Sequence, residues 1–109
     1  MKRGEIWTAS GGPDYSGKPR PVVVLQDDRF EYTLSITVCP LTTSSADVPL
    51  VRPVIQPTDN NGLKSPCRLM SDKITTLPRA KLGRRVGRLD DSDIARLERA
   101  VLIFLGLAG

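Results

Sequence analysis

The chain has 109 residues and a mass of 11.9 kDa, enough for one domain around a single core and too little for two. Sixteen Lys plus Arg against twelve Asp plus Glu give a net charge of +4, and eleven of the sixteen are arginine, whose planar fork suits paired contacts with phosphate. Histidine is absent and the two cysteines stand twenty-eight residues apart without a CxxC pair, so a metal centre is not expected and neither is a histidine-based proton relay. Two isolated thiols read as small buried residues, and so few cysteines fit a reducing interior as well as any other place; the expected location is the cytoplasm. Met1–Glu5 leads into a strand pattern in place of an apolar leader, and the late apolar stretch 100–107 is far short of a membrane span, so no membrane partner is expected.

Taken in chain order, the predicted elements are mostly strands. Ile6–Thr8 opens the chain, and Val22–Leu25 is a continuous apolar run suited to a strand buried on both faces. Leu34, Ile36 and Val38 alternate with Ser35, Thr37 and Cys39, the cleanest period of two in the sequence. Val51–Ile55 is interrupted by Pro53, which reads as an edge or bulged strand. Cys67–Met70 and Val86–Leu89 complete the set, with a turn at Asn60-Asn61-Gly62 and loops at 9–19, 26–31 and 42–49. A short helix is predicted over Pro78–Leu82, where proline suits the first turn. A longer one follows Asp90 or Asp91, with Ile94, Leu97, Val101, Phe104 and Leu105 forming the face that packs on the sheet before Gly106 stops it. The fold class is mainly β: a small barrel of strongly bent antiparallel sheet with a C-terminal α-helix, in one domain spanning 1–109.

Within this frame the most informative residue is Arg20. Lys18-Pro19-Arg20-Pro21 places an arginine between two prolines at the start of the Val22–Leu25 strand, and each proline fixes its own φ and pushes the preceding residue towards extended backbone. A cation so constrained can be aimed at an anion; the competing reading is a solvated turn residue. Arg79, Lys81, Arg84, Arg85 and Arg88 fall in a stretch without any acid, which reads either as a solvated basic hairpin or as a strip that binds a polyanion. The pair Asp27 and Asp28 reads as a turn, with a base or a holder for Arg20 as the alternative. Trp7 reads as core in preference to a stacking platform.

Six segments in register resemble one known family. They are Arg3-Gly4-Glu5-Ile6-Trp7, the run from Pro19 to Gln26, Val38-Cys39-Pro40-Leu41-Thr42, Asn61-Gly62-Leu63, Asp72-Lys73-Ile74-Thr75-Thr76-Leu77, and Leu102-Ile103-Phe104-Leu105-Gly106-Leu107. Their order and spacing resemble the MazF/PemK toxins from about residue 2 to 107. The resemblance implies an SH3-like barrel, a homodimer, and a sequence-specific, metal-independent endoribonuclease that works without cofactors and is neutralised by a cognate antitoxin with a disordered, acidic tail. In that family an arginine at the start of the second strand and a threonine at the end of the third carry cleavage of single-stranded RNA. Here these match Arg20 and Thr42, with Thr43 open as the alternative through a one-residue slip, which would reverse the face.

The expected chemistry is attack of the ribose 2′-hydroxyl on the adjacent phosphorus, leaving a 2′,3′-cyclic phosphate and a 5′-hydroxyl. Arg20 would stabilise the dianionic transition state and Thr42 would hold the phosphoryl group. Tyr15 and Lys18, on the long glycine-rich loop, are expected to stack on a base and meet a phosphate, and Gln26, Lys73, Arg79, Arg84 and Arg85 to add RNA contacts. Two other readings compete: a CcdB-like toxin that inhibits DNA gyrase without cutting, and a non-catalytic RNA-binding barrel.

Overall fold

A computed structural model of the chain describes residues 1–10, 18–44, 48 and 50–109. Among these residues seven strands, β1 (Glu5–Ala9), β2 (Arg20–Val24), β3 (Ser35–Thr42), β4 (Val54–Ile55), β5 (Cys67–Leu69), β6 (Thr75–Pro78) and β7 (Leu82–Arg88), precede one α-helix, α1 (Asp91–Phe104). Every pairing is antiparallel, in the order β4-β5-β3-β2-β1-β7, with β6 on β3 beside β5. The result is a curled half-barrel of bent antiparallel sheet with one C-terminal helix, as the strand rhythm predicts.

The bend follows from β3, the longest strand. Its first half, Ser35–Val38, pairs with β6, whereas Leu41 and Thr42 pair with β5, so one strand serves two neighbours along the same edge. Opposite that edge it pairs with β2 through Val22↔Pro40, Val23↔Cys39 and Val24↔Val38. Pro40 has no N–H to give the ladder, which suits the point where the sheet turns.

Alternation sorts the core into two clusters on opposite faces. Ile6, Val23, Cys39, Leu41, Ile55 and Leu69 meet Leu97 of α1 on one face. Ala9, Val22, Val24, Ile36, Val38 and Leu82 form the other, with half-buried Trp7 and Leu77 packed against them. The three valines of β2 therefore divide between the faces, as expected of a continuous apolar run, and each contributes about 1.5–3 kcal/mol by leaving water. Trp7 serves the core, its indole N–H donating to Glu5 Oε1 at 3.1 Å.

Four sequence expectations need correcting. Leu34 is 88% exposed and precedes β3, because Arg79 N–H takes its carbonyl at the sheet margin and its side chain has no layer to pack against. The short helix over Pro78–Leu82 is a single 3₁₀ turn, Arg79–Lys81; Leu82 already belongs to β7, with its side chain in the second cluster. Thr75–Pro78 is a strand, β6, that the sequence reading left out. In α1 the buried residues are Leu97 and Ala100, while Phe104 and the C-cap Leu105 are 48% and 56% exposed and do not belong to the packed face.

Other local expectations hold. Asp90 takes the N-cap position of α1, though its carboxylate accepts from Asn60 Nδ2 at 3.2 Å and makes no capping bond, and Gly106 at φ +74 ends the helix, with Gly106 N–H reaching Ile103 O and Leu107 N–H reaching Leu102 O. Gly62 at φ +67 closes the Asn60–Gly62 turn. This turn presses so closely on β7 that any Cβ at Gly87 would collide with the backbone of Asn60 and Asn61.

Candidate active site

Arg20 is the first residue of β2 and pairs with Ala9 of β1. The β2–β3 register, carried two residues beyond Val22↔Pro40, sets Arg20 opposite Thr42, the last residue of β3. Side chains alternate with a period of two, so Arg20 shares the face of Val22 and Val24, and Thr42 shares that of Ile36 and Val38. Both pairs belong to the second cluster, hence both functional candidates project from the face opposite α1, at the rim of that cluster. Thr43 lies past the strand and on the other parity.

Arg20 is exposed, and among the described residues no carboxylate or carbonyl is within bonding distance of its guanidinium. Thr42 is half-buried. Its Oγ1 accepts the backbone N–H of Ser44 at 3.1 Å, which leaves the hydroxyl hydrogen free to be donated outward. Together the two side chains offer a fixed cation and a neutral donor on one face, the pair needed to hold a phosphoryl group and take up the charge that develops on it.

The remaining sequence candidates separate. Tyr15 lies outside the described residues. Lys18 is exposed just before β2, two residues from Arg20, and Lys73 is exposed at the end of the 3₁₀ turn Ser71–Lys73. Gln26 is committed to the fold: its amide N–H₂ donates to Phe30 O at 2.8 Å and Thr33 Oγ1 at 3.1 Å, and its Oε1 accepts from Thr37 N–H at 2.8 Å. Asp27 and Asp28 are turn residues, as expected. Asp27 caps the 3₁₀ turn Asp28–Phe30 by accepting Arg29 N–H, a bond that holds its carboxyl below the usual range, and Asp28 accepts Arg3 N–H.

The basic strip divides in the same way. Arg79 points inward, donating to Thr33 O at 2.8 Å and to Glu31 O, so its guanidinium serves loop carbonyls and not a ligand. Arg85 pairs with Glu5 at 3.0 Å across the β1–β7 ladder. Burial pushes the Glu5 carboxyl up, but hydrogen bonds from Lys2 N–H, the Trp7 indole and Arg85 outweigh it, and Glu5 stays below the ordinary carboxylate value. Arg84 remains exposed, its backbone N–H held by Thr8 Oγ1.

Sequence reasoning missed a second group of arginines. Arg68 of β5 is the registered partner of Thr42, and it also pairs with Val54 of β4. Beyond it, Arg52 makes a two-pronged ion pair with Asp72, Nε to Oδ1 at 2.9 Å and Nη2 to Oδ2 at 2.8 Å, with both side chains mostly buried. The Arg52 guanidinium holds the Asp72 carboxyl below its ordinary value of 3.8 against the opposing effect of burial. The two thiols are buried and unpaired, and burial pushes Cys39 up to about 12, which rules it out as a nucleophile near neutral pH. No helix among the described residues is long and apolar enough to cross a membrane.

Comparison with known proteins identifies the family and the fold. The family model for the PemK-like, MazF-like toxin of type II toxin–antitoxin systems matches residues 2–105. The probable endoribonuclease MazF of Mycolicibacterium smegmatis is 54% identical over 109 residues, covering the whole of both chains. Among solved structures, the Mycobacterium tuberculosis toxin MazF-mt6 superposes with a TM-score of 0.81 at 27% identity, covering 96% of this chain and 99% of that one. A mycobacterial endoribonuclease solved in complex with its cognate antitoxin gives 0.82 at 22% identity, covering 100% and 98%, a likeness of fold. With a family model matching nearly its full length and a relative at more than half identity end to end, the chain belongs to the PemK-like, MazF-like toxins of type II toxin–antitoxin systems.

Proposed function

We propose that the protein is an endoribonuclease toxin that cuts single-stranded RNA without a metal, using Arg20 and Thr42. The 2′-hydroxyl attacks the adjacent phosphorus, the bond to the 5′-oxygen breaks, and the products carry a 2′,3′-cyclic phosphate and a 5′-hydroxyl. Arg20 neutralises the charge that builds on the non-bridging oxygens; with a pKa above about 12 it acts as a charge and not as the proton donor. Thr42 donates its hydroxyl hydrogen to the same phosphoryl group and holds it in line.

The observation that carries this reading is the pairing, on one face of one sheet, of a guanidinium that meets no acceptor among the described residues with a threonine hydroxyl whose Oγ1 accepts Ser44 N–H and whose hydrogen can be donated. Lys18 and Arg84, both exposed, are retained as phosphate contacts, with Lys73 as a further one. Gln26, Arg79 and Arg85 are occupied within the chain and support the site's frame. The protein works as a homodimer in the cytoplasm and is held inactive by a cognate antitoxin, in keeping with relatives solved in complexes of that kind.

The test is end mapping on a mixed RNA pool in the presence of a chelator. Cyclic phosphate and 5′-hydroxyl ends at a defined word are expected, and Arg20→Ala should abolish them while the protein stays folded. Cutting at the wild-type rate by folded Arg20→Ala would refute the assignment.

A further inference from the structure

The sheet ends at β4, and Arg96 of α1 reaches that edge by donating Nη1 to Val54 O at 2.7 Å. Beside this link lies a groove of about 410 Å³ between β4, β5 and α1, within the roughly 300–1,000 Å³ range of ligand pockets. It is walled by α1, and neither Arg20 nor Thr42 lines it, so it is separate from the candidate active site.

The lining joins two chemistries. Val54 and Ile103 form an apolar wall, continued at the rim by Leu50, which is 71% exposed. Arg52, Arg68, Arg96 and Arg99 surround that wall. Arg52 is neutralised by Asp72 and Arg96 by Asp93, whereas no carboxylate lies within ion-pair distance of Arg68 or Arg99 among the described residues. Arg68 donates Nη1 to Arg52 O at 3.4 Å, long for a hydrogen bond. Two open forks against a wet apolar surface match a segment that brings carboxylates and an apolar side chain together. RNA is the poorer match, because a strand held by Arg20 and Thr42 lies on the face opposite α1.

We propose that this groove docks an acidic segment of the antitoxin, resting on the reading above that such a protein holds the chain inactive. Carboxylates of the segment pair with Arg68 and Arg99, and an apolar side chain between them fills the space against Val54 and Ile103. Contact here anchors the partner while leaving the face of Arg20 and Thr42 uncovered. Docking and blocking are then separate tasks, carried by separate parts of the antitoxin.

The probes are the full-length cognate antitoxin and overlapping synthetic peptides that cover it, with binding to the intact chain read by anisotropy across a salt series. One acidic peptide should bind without slowing the cleavage of RNA. Arg99→Ala should weaken both that peptide and the full antitoxin about tenfold and flatten the salt dependence, and Arg68→Ala should do the same. Ile103→Ser should weaken them about fivefold with the salt dependence kept. Arg99→Glu should lose the peptide, and an acid-to-lysine change in that peptide should restore it. Cleavage by free Arg99→Ala should keep the wild-type kcat and KM. Arg29→Ala, removing an exposed arginine on the 3₁₀ turn after β2, is the control and should match wild type throughout. Should Arg68→Ala or Ile103→Ser misfold, Arg99→Ala decides, since Arg99 lies exposed on the helix. Wild-type affinity for the antitoxin in both arginine variants overturns the docking site. So does a raised KM for RNA with antitoxin affinity intact, which would give the groove to the substrate, and so does a bound peptide that competes with RNA. Failure of the wild-type chain to bind the antitoxin at all would overturn the antitoxin reading itself.

Discussion

Two sets of arginines occupy this small sheet, and their surroundings differ. Arg3, Arg79 and Arg88 end on main-chain carbonyls: Arg3 on Leu25 O, Arg79 on Thr33 O and Arg88 on Leu89 O, with Glu98 and Asp91 adding charge to the first and last. Arg20 at the start of β2, Arg68 on β5 and Arg99 on α1 meet no carboxylate among the described residues. The first set closes loops by giving donors to carbonyls that would otherwise lose water without compensation. The second set keeps its fork open, which a scaffold does not need and an anion site does. Charge in the sequence is thus no guide to binding until each guanidinium's acceptors are known.

The sharpest break of that comparison is one substitution from each set. Arg20→Ala should lower the cleavage rate at least about a hundredfold, the scale of losing one donor to a developing oxyanion, with no change in melting temperature. Arg79→Ala should do the reverse: a loss of about 2 kcal/mol, or roughly 8 °C in melting, from carbonyls left without donors, and normal cutting per folded molecule. Equal effects of the two on melting would erase the distinction.

A finer cut lies within the site. Thr42→Val keeps volume and strand propensity but removes the donor, so cleavage should fall about tenfold at unchanged stability, with Thr42→Ser recovering most of it. Thr43→Val should leave the rate within twofold, because that side chain lies beyond the strand.

The smallest expected effect concerns the Arg52–Asp72 pair, in which each charge already has its partner. The Asp72 carboxyl titrates below its ordinary 3.8 when folded, so its stabilisation is complete above that value and is lost as pH falls through the folded one. Asp72→Asn should therefore cost about 1 kcal/mol at pH 7, and the gap from wild type should begin to narrow only as pH falls below the ordinary carboxylate value of 3.8 in denaturant titrations. A gap that stayed constant down to the pH of acid unfolding would place the pair's contribution in packing and not in charge.

Much of this was legible in the residues, and the illegible parts share a cause. Val22–Val24 declared a strand buried on both faces because three β-branched residues in a row have no polar side to offer water. Arg20 stood out through its prolines, and Thr42 through its place in a matching segment. By contrast β6 reads Thr-Thr-Leu-Pro, with one half-buried apolar residue and a terminal proline, so neither alternation nor length identifies it; pairing with Ile36 and Val38 makes it a strand. Arg68 gave no signal either, since an arginine between Cys67 and Leu69 reads as the solvent side of an ordinary strand. Only the β3–β5 register, which is non-local, brings it beside Thr42. Arg79 and Arg84 look alike in sequence and part company because one faces loop carbonyls and the other does not.

The prolines on either side of Arg20 carry a last consequence. A guanidinium mounted on backbone that is already set needs no closing motion to be armed, and the described residues supply no internal safety catch at this position. Restraint then has to come by stoichiometry, from something that occupies the face, and the moment of release is fixed by how long that cover survives.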